Sequence, residues 1–148
     1  MAEKTVMLPT SAVLDLIVAE FHKLTSNIYE IPPAKANEEY YRQVLVREWP
    51  RNIHFEFISR KNSAKGRKAG LSLELHDENG GFLRLKELIP KIALSIGLRD
   101  NDIYWKNPAL VKHIAYFETP SKAAEAMVEL ISNTKDSISL AIGGVRQN

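Results

Sequence analysis

Asn52-Ile-His-Phe-Glu-Phe-Ile-Ser59 and Leu71-Ser-Leu-Glu-Leu-His-Asp77 are the two stretches whose reading decides the fold. In the first, Ile53, Phe55 and Phe57 fall on one side, and His54, Glu56 and Ile58 on the other. In the second, Leu71, Leu73 and Leu75 alternate with Ser72, Glu74 and His76. A period of two over this length belongs to a half-buried strand and does not fit a helix. The link from about Arg60 to Gly70 is polar, contains glycine and is too long for a two-residue turn, so the pair reads as a β-hairpin with a flexible loop. One face of that hairpin needs a cover. The other carries His54, Glu56, Glu74 and His76, and is expected to be solvated or ion-paired.

Working outward, Thr10 or Ser11 caps a predicted helix with its stripe at Leu14, Ile17, Val18, Phe21, Leu24 and Ile28. Pro32-Pro33 stops anything helical before it. Asn37 then caps a shorter predicted helix holding Tyr40, Tyr41, Val44 and Leu45, with Glu38 and Glu39 in its first turn; Val44-Leu-Val46 also fits a strand. Beyond the hairpin, Asn79-Gly-Gly81 breaks the chain and a helix is expected over about Phe82 to Ile96. Strands are expected at Asp102–Lys106 and Lys112–Glu118. Thr119-Pro120 opens a last helix with Ala123, Met127, Leu130, Ile131, Thr134 and Ile138 inward and Gly143-Gly144 at its end. The order α-α-β-β-α-β-β-α predicts the α+β class, an antiparallel sheet of about four strands with helices packed on one face. Residues 1–148 form one expected domain, with a helical segment over 1–50 and a ββαββα unit over 51–148.

The 148 residues contain no cysteine, which excludes disulfides, a thiol nucleophile and a cysteine-type zinc site. The first residues, Met-Ala-Glu-Lys-Thr-Val, do not lead from a basic region into an apolar core, and no apolar run approaches a bilayer's thickness. A cytoplasmic protein with no membrane partner is expected.

Charge is unevenly placed. Residues 1–50 balance at −2 and residues 71–148 at −1, while residues 51–70 hold six basic side chains against Glu56, a balance of +5. The excess lies at Arg60, Lys61, Lys65, Arg67 and Lys68 in the hairpin link. Such a cluster is either an ordinary solvated loop or an anion-binding tip suited to nucleic-acid phosphate.

Phosphate-binding loops, dinucleotide fingerprints and nucleophile elbows are missing from the sequence, so no catalytic residue is expected. The best constellation is His54, Glu56, Glu74 and His76. If residue i pairs with residue 130 − i, Glu56 faces Glu74 and His54 faces His76. Like charges directly opposite destabilise a sheet unless a cation intervenes, and imidazole with carboxylate suits Zn, Mn or Fe. Shifted by one pair, His54 faces Glu74 as a simple ion pair. Spacing leaves the register open, and the expectation is that no metal or other cofactor binds. His22 and His113 have no informative partners. Tyr104-Trp105 and Tyr116-Phe117 offer stacking faces for bases, but core positions are the expected use.

The succession Ile53-His-Phe-Glu-Phe57, Leu71-Ser-Leu-Glu-Leu-His76, Leu85-Lys-Glu-Leu-Ile89 and Ile103-Tyr-Trp105 resembles an uncharacterised bacterial domain. That domain is found C-terminal to predicted nucleases of the PD-(D/E)XK superfamily. The likeness covers about residues 49–142, and nothing here matches the nuclease core. It implies an accessory role near nucleic acid with no catalytic residues. A non-enzymatic nucleic-acid-binding or nuclease-accessory module is therefore the expected function. The alternatives are a small protein-binding inhibitor or immunity-type protein, and a metal-dependent enzyme on the histidine–glutamate face.

Overall fold

The computed structural model describes residues 10–34, 40–60, 70–78, 109–115 and 119–143. In chain order they form α1 (Ser11–Thr25), β1 (Tyr41–Val44), β2 (Ile53–Arg60), β3 (Gly70–Asp77), β4 (Ala109–Ala115) and α2 (Pro120–Ile142). The strands lie in the order β1-β2-β3-β4, each antiparallel to its neighbour. This is the α+β class expected from the alternation.

Thr10 caps α1, its hydroxyl accepting the Val13 N–H at 3.2 Å. Leu14, Ile17 and Phe21 are buried as the stripe requires. The helix stops earlier than the stripe predicted. Ser26 and Asn27 take left-handed backbone conformations, φ 52° and 59°, and the Asn27 N–H donates to the His22 carbonyl at 3.0 Å. That turn leaves Leu24 and Ile28 half exposed, outside the core.

The short helix expected after Asn37 is not there in its described part: Tyr41–Val44 is a strand, pairing Tyr41 with Ile58 and Val44 with Phe55. The reason lies in Arg42. It points inward beside Val44, 4% exposed, and so hides the alternation. Its guanidinium reaches Asp15 at 3.0 Å, the Ser11 hydroxyl at 2.9 Å and the Tyr41 carbonyl at 2.8 Å, fastening β1 to the first turns of α1.

Between β2 and β3 the register is the one in which residue numbers sum to 130, from Ile53 opposite Asp77 to Arg60 opposite Gly70. β4 begins directly after Pro108, earlier than the expected Lys112 start. Its pairing with β3 slips by one residue where Leu75 faces Val111 and His76 faces Ala109, a bulge beside His76.

One core joins the elements. Ile53, Phe55, Phe57, Leu71, Leu73 and Leu75 meet Leu14, Ile17 and Phe21 of α1 and the Ala123, Met127, Leu130, Ile131 and Ile138 stripe of α2. Phe21 meets Phe57 edge-on with ring centres 5.7 Å apart, and the Trp49 indole lies 5.6 Å from the Phe55 ring. The Trp49 N–H donates to the Ser139 hydroxyl at 2.9 Å, so the buried indole keeps a polar partner. α2 itself opens as predicted, with the Thr119 hydroxyl accepting the Lys122 N–H and Pro120 in the first turn. The helix expected over 82–96, the strand expected over 102–106 and the hairpin link 61–69 lie outside the described residues.

Candidate functional site

The second face of the hairpin is not solvated. His54, Glu56, Ser72, Glu74 and His76 are all buried, Glu74 completely. β2 and β3 are interior strands, so their polar side chains must find partners among themselves. The realised register puts His54 opposite His76 and Glu56 opposite Glu74, the pairing in which carboxylates face each other. The two imidazole rings lie with centres 5.6 Å apart.

Each partner is identifiable. His54 donates its Nδ1 hydrogen to the Arg51 carbonyl at 2.8 Å, because a carbonyl can only accept. Its Nε2 faces Glu56 Oε2 at 3.3 Å and Glu78 Oε1 at 3.4 Å. His76 sets Nδ1 2.5 Å from Glu56 Oε2 and Nε2 2.9 Å from Glu74 Oε1. Glu74 also accepts the Ser72 hydroxyl at 2.6 Å. On β4, Lys112 holds the register position opposite Glu74.

These contacts set the protonation of the cluster. Burial works against a charged His76. The hydrogen bonds and charges of Glu56 and Glu74 outweigh it, and raise the imidazole to about 9. Burial likewise pushes the Glu56 carboxyl up, but hydrogen bonds and charge from His54 and His76 more than reverse that and hold it below its ordinary value. At neutral pH His76 is an imidazolium shared between two carboxylates.

Of the four residues singled out in the sequence, His54, Glu56 and His76 converge, and Glu74 stands behind His76. The fourth converging side chain is Glu78, which the sequence reading passed over. It follows β3 by one residue, and its N–H donates to the Asn52 carbonyl at 2.9 Å, which carries the hairpin one step further. Continuing the alternation from Glu74 and His76 points to it. His22 is half-buried with its Nδ1 atom enclosed and unpartnered, and His113 sits in β4 opposite Leu73. Arg60 ends β2, while Lys61, Lys65, Arg67, Lys68, Tyr104, Trp105, Tyr116 and Phe117 lie outside the described residues. No helix among the described residues is long and apolar enough to cross a membrane. No family model, curated protein or solved structure matches the chain.

Proposed function

We propose that the chain is a non-enzymatic binding module that engages nucleic acid through the basic segment joining β2 and β3, in an accessory role beside a nuclease. The observation that carries this reading is the charge distribution. A balance of +5 is concentrated in residues 51–70, between flanks that are slightly negative. Arg60 opposite Gly70 closes the ladder directly before that segment. Lys61, Lys65, Arg67 and Lys68 follow Arg60 in the sequence, within the segment that joins the two interior strands. Neutralising phosphates releases counterions and gives affinity that does not depend on sequence. The resemblance to a nuclease-accessory domain supports the same role.

Titration against duplex DNA and RNA at several salt concentrations tests it. With about four side chains on phosphates, log affinity falls against log salt with a slope of roughly −3 to −4. Changing Lys65, Arg67 and Lys68 together to alanine flattens that slope by about two to three. Equal binding by both proteins, or none by either, refutes the proposal and favours a protein partner.

A further inference from the structure

We propose that His54, Glu56, His76 and Glu78 are the four ligands of one divalent first-row transition-metal ion, which staples β2 to the end of β3.

The four side chains each offer one ligand atom, and these atoms lie within 4.8 Å of one another. The environment of His54 argues most directly for an ion. Its Nδ1 hydrogen is committed to the Arg51 carbonyl, so its Nε2 is what faces Glu56 and Glu78. A bare nitrogen lone pair aimed at two carboxylate oxygens is repulsive, and something positive belongs between the three atoms. One proton makes one straight hydrogen bond, and charge-assisted bonds of that kind run at about 2.7–2.9 Å. The observed separations are 3.3 and 3.4 Å. Metal–ligand bonds of about 2.0–2.1 Å in a tetrahedral site place neighbouring ligand atoms about 3.3–3.4 Å apart. Both distances are longer than a charge-assisted hydrogen bond and match the edge of shared coordination.

The second imidazole is oriented for the same purpose. His76 gives its Nε2 hydrogen to Glu74, which Ser72 holds in turn, and so presents Nδ1 to the centre of the cluster. Ligating histidines regularly donate their other ring N–H to a carboxylate or a backbone carbonyl, which fixes the tautomer and the ring. Here one ring has the carbonyl and the other the carboxylate. The bulge in the β3–β4 pairing lies beside this histidine, as bulges often do where a side chain is re-aimed.

Closing around an ion requires little movement. The His76–Glu56 contact at 2.5 Å opens by less than about 1 Å to reach the tetrahedral edge. Glu78, the one partly exposed ligand at 45%, stands just past the end of β3, where its side chain is free to swing inward. It is also the way in for the ion. The ion replaces the proton between His76 Nδ1 and Glu56 Oε2, which leaves to solvent, while both outward-facing ring hydrogens stay in place. Two imidazole nitrogens and two carboxylate oxygens are a borderline donor set, suited to Zn²⁺, Mn²⁺ or Fe²⁺ rather than to Ca²⁺ or Cu⁺. Four protein ligands complete a tetrahedron, which makes the site a structural one.

The test uses the full chain, produced without a metal-affinity tag, stripped with chelator and titrated with Zn²⁺. One equivalent binds per chain. Nitrogen NMR shows coordination at His54 Nε2 and His76 Nδ1 while the His22 and His113 rings stay unchanged. Glu78→Gln weakens binding by at least roughly tenfold. Glu48→Gln, at a carboxylate of similar exposure, leaves it unaltered. The proposal is overturned if binding is absent or not one to one, if neither ring responds, or if Glu78→Gln binds like wild type. Should that variant fail to fold, the ring resonances of the wild type decide alone.

Discussion

The two faces of the β2–β3 hairpin are equally buried and held by different physics. On one, Phe55, Phe57, Leu73 and Leu75 meet α1 and α2 through contacts that have no preferred direction. On the other, Glu56, Glu74 and His76 are held by bonds in which each donor has a named acceptor. Apolar packing tolerates adjustment and fails gradually. A buried polar network fails when one member goes, because the remaining members keep their desolvation cost without the bond.

Substitutions separate the two kinds of burial. Phe57→Ala removes a fully buried ring that touches Phe21, and is expected to cost about 3–5 kcal/mol in urea unfolding. Its loss is the same at every pH where the wild type is folded. His76→Ala strips Glu56 and Glu74 of a shared partner and is expected to cost about 3 kcal/mol near neutrality. Unlike the phenylalanine variant, it also changes the pH profile. A cost below that of an ordinary surface substitution breaks the contrast between the faces.

Titration gives a smaller effect, because deprotonated His76 still keeps one hydrogen bond. Its pKa rises from 6.5 in the unfolded chain to about 9 in the fold. The stability it contributes is therefore complete below pH 6.5 and is lost as pH climbs towards 9. Glu56, held below 4.5, contributes stability that is present above that value and lost in acid. Unfolding midpoints of chelator-stripped protein fall on both sides of a plateau, and the alkaline fall vanishes in His76→Ala. A flat alkaline limb in the wild type contradicts the shared imidazolium.

The mildest change tests Arg42, a charged side chain set into the apolar face. Asp15→Ala leaves Arg42 its bonds to Ser11 and Tyr41, and is expected to cost about 1 kcal/mol, since Asp15 is 70% exposed. A cost of the size seen for His76→Ala shows that the apolar face also depends on a directional bond.

The hairpin and both described helices were legible in the sequence because each repeats one period without interruption. β1 was not, because Arg42 occupies an inward position where alternation calls for an apolar residue, and Tyr41 stands outward. The end of α1 was missed because nothing in Ser26-Asn27 forbids another helical turn. The residues of the polar face were legible, yet their burial was not. Alternation distinguishes apolar from polar and says nothing of whether polar groups pair with one another or with water. Glu78 escaped because it stands past the last apolar residue, so that only the polar half of the alternation, Glu74 and His76, continues to it.

Two of the elements that meet in the core are completed far apart in the chain. The hairpin is complete at Asp77, whereas α2, which closes over its apolar face, ends at Ile142, 65 residues later. At ribosomal speeds of about 5–20 residues per second, that interval lasts roughly 3–13 s. Until then α1 is the one described helix available to shelter Phe55, Phe57 and the leucines, and Trp49 lacks its Ser139 acceptor. A nascent chain of this design carries a finished hairpin with an incompletely covered apolar face for as long as α2 is being made.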